Sequence, residues 1–290
     1  MTKILITGAT GNLGKSVMTQ LLKTIKPNNL AVLVRKADDL EALKLQGLDA
    51  RLGDYSDYES LVQAFKGIEK LFFISGSEFV NRSQHHENVV KAAKETGIEH
   101  VVYTSFQRKN ETEASPMAFV IDDHINTENL LKESGLTYTI LRHNLYMDML
   151  PLFIGDKVLE TGIIYQPAGD GKTAFTLRDD MAELAGHILI SEGHENTAYD
   201  VSTDTAYSYQ EIAALISKLT GKEIRYSSPS VEEFTNTMVE AGVPDEYIGL
   251  FKGFALAIKD GELDKTSTIF EQMLGRKATT LEAFLSQVYV

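Results

Sequence analysis

The sequence predicts an α/β fold: a doubly wound parallel sheet followed by a smaller mixed α/β lobe. Three observations carry this. Apolar runs rich in β-branched residues alternate with stretches of helical spacing over the first 142 residues. Those runs are almost wholly apolar, which is what burial on both faces by helices demands. After Arg142 the alternation stops. Strand runs stand at Lys3–Thr7, Leu30–Val34, Leu71–Ile74, Val101–Ser105 and Tyr138–Leu141. A third strand is inferred just before Gly53, making Leu71–Ile74 the fourth and Tyr138–Leu141 the sixth. Helical spacing falls at Leu13–Leu22, Leu40–Leu45, Leu61–Phe65, Val89–Ala93 and Ile125–Leu131. Such alternation reads as βαβ units with right-handed crossovers. Gly97 and Gly135 each follow a helical run and precede a strand, where a left-handed cap is expected.

Beyond Arg142, Leu145–Leu159 is rich in aromatic residues and Met, and Gly162, Pro167, Gly169 and Gly171 mark loops. Asp179–Ile190 and Tyr209–Leu219 read as amphipathic helices, Ala198–Val201 and Glu223–Tyr226 as strands, and Val231–Val290 as mainly helical. The expected division is residues 1–145 for the sheet domain and 146–290 for the smaller lobe, with the chain free to cross more than once.

Composition narrows the function classes. With 290 residues, 43% hydrophobic and 24% charged, the chain is neither disordered nor fibrous. It has no cysteine, so disulfides, thiolate zinc sites and cysteine nucleophiles are excluded together. Asp and Glu number 41 against 28 Lys and Arg, a net charge of −13 that disfavours contact with nucleic acid or an anionic membrane. No apolar run approaches the ~18 residues of a membrane span. Ile4-Leu5-Ile6 is far shorter than a signal-peptide core. The expectation is a soluble cytoplasmic protein, monomer or homodimer.

Thr7-Gly-Ala-Thr-Gly-Asn-Leu-Gly14 lies between a strand and a helix. Its glycines are spaced G-x-x-G-x-x-G. Gly8 permits the tight turn, Gly11 lets backbone N–H groups approach a pyrophosphate, and Gly14 lets the helix pack close to the sheet. The helix N-terminus adds partial positive charge. This points to a Rossmann-type dinucleotide site formed by Gly8, Thr10, Gly11, Asn12, Leu13 and Gly14. The second strand ends Val34-Arg35-Lys36, with no carboxylate before Asp38. A guanidinium there suits a 2′-phosphate and selects NADP(H), unless Arg35 and Lys36 are only solvated loop residues. In Gly53-Asp54-Tyr55 a carboxylate could meet the adenine amino group or cap a helix, for which Asp57 is the better candidate. Ile74-Ser75-Gly76 and Ser105 complete the expected cofactor contacts.

These residues resemble the NmrA-like group of atypical short-chain dehydrogenases, nearest to type 2 NAD(P)H:quinone oxidoreductases and triphenylmethane dye reductases. The resemblance rests on Thr7–Gly14, Val34-Arg35, Gly53-Asp54-Tyr55, Leu141-Arg-His-Asn-Leu-Tyr146, Ala168-Gly-Asp-Gly171 and Arg178-Asp-Asp-Met-Ala182. It implies a substrate held in a cleft between a Rossmann domain and a small C-terminal lobe.

Most short-chain dehydrogenases use a Tyr-x-x-x-Lys pair as a proton relay. None of the twelve tyrosines here has Lys four residues on: Tyr103 is followed by Gln107 and Tyr138 by Arg142. That argues against alcohol dehydrogenases and sugar-nucleotide epimerases, whose chemistry moves a proton at a carbinol. Reduction of an electron-poor conjugated acceptor, whose product water protonates, remains compatible. His124 is the catalytic candidate, beside the nicotinamide or else a surface or capping residue. Phe106, Asn144 and Tyr146 are the substrate candidates, with Asn144 satisfying loop backbone and Tyr146 filling the core as the alternative. His85-His86-Glu87 reads as a solvated helix surface, since adjacent histidines do not share a face, and no metal site is expected. The reading is an NADPH-dependent reductase of a quinone or planar aromatic acceptor. A non-catalytic NAD(P)-sensing regulator and an epimerase-like enzyme are the alternatives.

Overall fold

The computed structural model describes residues 2–76, 78 and 80–290. The first half runs β1 (Ile4–Ile6), α1 (Asn12–Leu21), β2 (Leu30–Val34), α2 (Ala37–Leu45), β3 (Asp49–Leu52), α3 (Tyr58–Phe65), β4 (Lys70–Phe73), α4 (Arg82–Glu95), β5 (His100–Phe106), α5 (Ala118–Ser134) and β6 (Thr137–His143). The remainder runs α6 (Leu150–Ile154), α7 (Val158–Thr161), β7 (Ile163–Tyr165), β8 (Lys172–Thr173), α8 (Arg178–Ile190), β9 (Thr197–Val201), β10 (Tyr207–Ser208), α9 (Tyr209–Thr220), β11 (Arg225–Ser227), α10 (Val231–Glu240), α11 (Asp245–Lys259), α12 (Ile269–Leu274) and α13 (Leu281–Tyr289). Among the described residues no helix is long and apolar enough to cross a membrane.

Seven strands form the main sheet in the order β3-β2-β1-β4-β5-β6-β9, the Rossmann-type arrangement that the sequence predicts. Strands β1 to β6 pair in parallel, with Leu5 of β1 opposite both Ala31 of β2 and Leu71 of β4. Chain order reverses between β1 and β4, which is where open α/β sheets bind ligands. Every residue of β1 and β2 is buried, so their unbroken apolar runs are the signature of two covered faces. β3 lies at the sheet edge and alternates, which is why no apolar run announces it. Its Arg51 bonds Asp49 and the Ala64 and Lys66 carbonyls. Leu33, Phe65, Leu71, Phe73, Val89 and Tyr103 belong to one core cluster under the sheet. Gly97 and Gly135 take φ of 74° and 83°, the left-handed caps expected of them.

The chain divides into two units: residues up to Phe106 with Val120–His143 and Arg178–Tyr199, and Gln107–Phe119 with Asn144–Leu177 and Asp200–Val290. The sequence boundary at 145 lies near one crossing, at 143/144, but α8 belongs with the sheet and not with the C-terminal lobe. Its small residues Ala182, Ala185 and Gly186 are buried, a Cβ on Gly186 would lie 3.4 Å from Gln20, and Asp179 accepts from Ser16 of α1 at 2.7 Å. The second unit contains an antiparallel pair, β8 with β10, and a parallel pair, β7 with β11. Its Gly171 turn abuts α11 so closely that a Cβ would sit 2.0 Å from the Ile258 carbonyl oxygen.

His86, His100 and His143 are among the buried histidines of the first unit. Burial lowers their pKa from the ordinary 6.5 to about 3, 4 and 3 respectively. Below pH 6.5 the unfolded chain therefore binds protons that the folded one refuses. Stability is expected to hold above that pH and to decline as pH falls through 6.5 toward 3. Urea midpoints between pH 7.5 and 4 check this, and a midpoint unchanged over that range contradicts it.

Candidate active site

The turn after β1 is built from its glycines. Gly8 has φ of 60°, and the Gly11 N–H closes onto the Gly8 carbonyl at 3.0 Å. A Cβ on Gly14 would lie 2.2 Å from that same oxygen, so only glycine lets α1 start here. Gly11 caps α1, no side chain caps it, and no acidic residue stands in its first turn. A helix N-terminus so arranged fits a pyrophosphate. Gly8, Thr10, Gly11 and Asn12 are exposed, whereas Leu13 is buried and has only its backbone to offer.

Arg35 follows β2, exposed, and donates to Glu78 at 2.8 Å. Asp54 is not the helix cap: Asp57 caps α3, accepting from the Ser60 N–H at 3.2 Å. The Asp54 Oδ1 accepts from the Ser56 N–H and hydroxyl at 2.8 and 2.7 Å. Partial burial works to raise its pKa, but these bonds and the nearby Arg35 charge hold it below the usual value. Tyr55 joins two strands through its hydroxyl. Its hydroxyl lies 2.5 Å from the Thr7 hydroxyl and 2.8 Å from the Ile74 carbonyl, tying β1 to β4.

The end of β4 is held from below. Ile74 lies against Gly8, and the Ser75 N–H donates to the Thr104 hydroxyl at 2.9 Å. The Gly76 N–H donates to His86 Nε2 at 3.0 Å, and its carbonyl accepts from Arg82 Nε at 2.7 Å. With Nε2 accepting, the His86 proton sits on Nδ1 and is donated to Thr127 Oγ1 at 2.8 Å. Thr127 passes its own proton to the Asp123 carbonyl at 2.7 Å. His86 is therefore wholly buried, correcting the reading of this stretch as solvated surface. The missed signal is helical spacing: Arg82, His86, Val89 and Ala93 form one buried stripe of α4. Among the described residues no group of three metal-ligating side chains occurs.

β5 and α5 carry the next group. Tyr103 is fully buried within β5, with its hydroxyl 2.8 Å from His124 Nδ1, and burial raises its pKa. His124 is buried too, its ring centroid 6.3 Å from that of Phe106, so it is neither a surface residue nor a cap. Ser105 was expected at the cofactor, but its hydroxyl donates to Glu128 Oε1 at 2.6 Å. Arg142 grips the same carboxylate with two bonds, at 3.0 and 2.6 Å. Sequence reasoning missed Glu128, which follows His124 by four residues on the same face of α5.

In the second unit Asn144 has 1% exposure and a fully engaged amide. Its Nδ2 donates to Gln107 and the Leu263 carbonyl at 2.5 and 2.9 Å, and its Oδ1 accepts from the Leu145 N–H and Thr173 hydroxyl at 2.6 and 3.1 Å. Two donors and two lone pairs are all such an amide has. The Asn144 amide is thus saturated by bonds within the second unit. Leu145 is buried, and Tyr146 is half-buried and bridges Thr176.

The model of the NmrA-like family matches residues 1–285. The chain belongs to that family. It is 34% identical to quinone oxidoreductase 2 of Escherichia coli over 99% of this chain and 98% of that one. A crystal structure of the same E. coli enzyme with NADPH superposes with a TM-score of 0.92 at 34% identity, covering 99% of this chain and all of that one. Citrobacter sp. triphenylmethane reductase with NADP(H) gives 0.90 at 34% identity, covering 99% and 100%.

For this NmrA-like chain, the first unit gathers the glycine turn, Arg35, Asp54, Ile74–Gly76, Phe106 and His124, whereas Tyr55, Ser105 and Asn144 use their polar groups inside the protein. Asn144→Ala removes four buried hydrogen bonds and strands several partners, so it is expected to cost about 2–4 kcal/mol. Thermal unfolding measures this, with turnover per folded molecule unchanged. A raised acceptor KM at an unchanged Tm would return Asn144 to the substrate.

Proposed function

We propose that the protein is an NADPH-dependent reductase that passes hydride to quinones or similarly planar, electron-poor acceptors. The carrying observation is the glycine turn at the sheet's reversal point with Arg35 beside it. Full-length identity of 34% to a quinone oxidoreductase supports the same reading, as do the two relatives solved with NADP(H) and NADPH. Gly8 to Gly14 and the start of α1 would hold the pyrophosphate, Arg35 the 2′-phosphate, and Asp54 the adenine amino group. Ile74 to Gly76 would line the ribose. Phe106, the last residue of β5, and His124, on α5, would meet the nicotinamide end. The bound reduced nicotinamide supplies hydride.

The remaining chemistry is positioning and exclusion of water. Glu128 accepts from Arg142 and Ser105, so both of its oxygens are engaged inside the protein. The Tyr103 hydroxyl is hydrogen-bonded with His124 Nδ1 inside the core. A reduced quinone is a stabilised anion that solvent can protonate, so this reading needs no Tyr–Lys relay.

NADPH oxidation against quinones, azo dyes and triarylmethane dyes tests the activity. Tight NADPH binding without turnover on any of them would favour a dinucleotide-binding regulator. Arg35→Ala is expected to lose about ten- to hundredfold in NADPH affinity, the value of a charge-assisted contact, with NADH affinity unchanged. Equal affinities of the wild type for both cofactors would refute that assignment. Tyr103→Phe is expected to keep turnover within about tenfold, against the 10²–10⁴ that general acid catalysis contributes. A thousandfold loss with unchanged NADPH binding would make Tyr103 a proton donor.

A further inference from the structure

We propose that Glu78 sets the balance between the two nicotinamide cofactors by competing with the 2′-phosphate for Arg35. The proposal rests on the reading of Arg35 as the phosphate contact. Arg35 follows the last residue of β2, and Glu78 lies beyond the end of β4. These strands flank β1 on opposite sides, so the Arg35–Glu78 pair spans the end of the strand that feeds the glycine turn. The Nη1–Oε1 distance is 2.8 Å, a full charge-assisted bond.

Exposure decides what the pair is for. The two side chains are 64% and 57% exposed, and an ion pair this wet contributes little to a fold. Arg51, by contrast, is 19% exposed and fixed by Asp49 and two carbonyls, as structural arginines are. Asp54 also lies within the field of Arg35, but its Oδ1 is engaged in the turn at Ser56. Glu78 is therefore the carboxylate that must yield when an anion takes the guanidinium. A 2′-phosphate carries more charge and more acceptor oxygens than a carboxylate, and wins that exchange at the cost of breaking the pair. A ribose 2′-hydroxyl instead has a proton to donate, and a carboxylate near Arg35 is a suitable acceptor for it. One residue thus penalises NADPH and assists NADH, narrowing the preference that Arg35 creates.

Glu78→Gln keeps the size and removes the charge at an exposed position, so folding is not at issue. Titration calorimetry with NADPH and NADH, on the wild type and the variant, reads the outcome. The NADPH Kd is expected to fall about three- to fivefold, about 0.6–1 kcal/mol, with NADH binding unchanged or weaker. The gain is expected to shrink at high salt and to vanish in an Arg35→Ala background. An unchanged or weaker NADPH affinity overturns the proposal, because Glu78 would then be orienting Arg35 rather than competing for it. Equal tightening of both cofactors overturns it too, since that is repulsion of the pyrophosphate they share. A gain that persists undiminished without Arg35 likewise overturns it. A wild type that does not prefer NADPH defeats the parent reading instead, whereas a wild type that prefers it with a silent Glu78→Gln defeats only this one.

Discussion

The contact on which the site depends is the approach of α1 to the end of β1. A Cβ at Gly14 would overlap the Gly8 carbonyl oxygen at 2.2 Å, so the first turn of the helix starts against the sheet with no side chain between. That closeness brings the uncapped N-terminus of α1 to the point where strand order reverses. Backbone N–H groups at a helix start are weak anion ligands one at a time, and their value comes from being fixed together. The rest of the unit supplies the fixing. Thr7, Tyr55 and Ile74 lock β1 to β4, while His86 and Arg82 hold the two sides of Gly76.

A second set of buried polar groups rigidifies the neighbouring edge. Glu128 is 1% exposed, yet its two oxygens receive Ser105 and both arms of Arg142. A carboxylate taken out of water costs several kcal/mol unless it is paired and hydrogen-bonded, and removing one partner from such a pair is far more damaging than never having it. The cluster therefore joins β5, α5 and β6 as one block. It also fixes the register of α5, and with it the place of His124 one turn earlier.

Much of this was legible in the sequence because it follows from period and glycine. The strands β1, β2, β4, β5 and β6 were readable from apolar runs, and the caps at Gly97 and Gly135 from their position between a helix and a strand. β3 was only inferable, because an edge strand covered on one side alternates and carries charge. The burial of His86 and of Asn144 has no sequence signal for one reason: it depends on partners distant in sequence, such as Thr127 for the one and Leu263 for the other. α8 was assigned to the wrong unit because an amphipathic pattern states that a helix packs, not on what. Glu128 gave no signal, since a carboxylate on a helix usually faces water.

The lack of a lysine four residues after any tyrosine fits the energetics of the proposed reaction. Proton transfer by a side chain is worth 10²–10⁴ in rate, roughly 3–5 kcal/mol. Orienting two reactants in a near-attack geometry is worth about 7–11 kcal/mol. An enzyme that reduces a ketone needs both, because the alkoxide it makes is a strong base. One that reduces a quinone or a dye cation does not, because hydride arrival yields a delocalised anion or a neutral product. His124 and Glu128 stand four residues apart on α5, and both are buried. The carboxylate is locked to Arg142, and Tyr103 is turned inward to the histidine. On the proposed reading these groups hold shape, and the choice of acceptor would fall to the acceptor's own electrophilicity and its fit beside the nicotinamide.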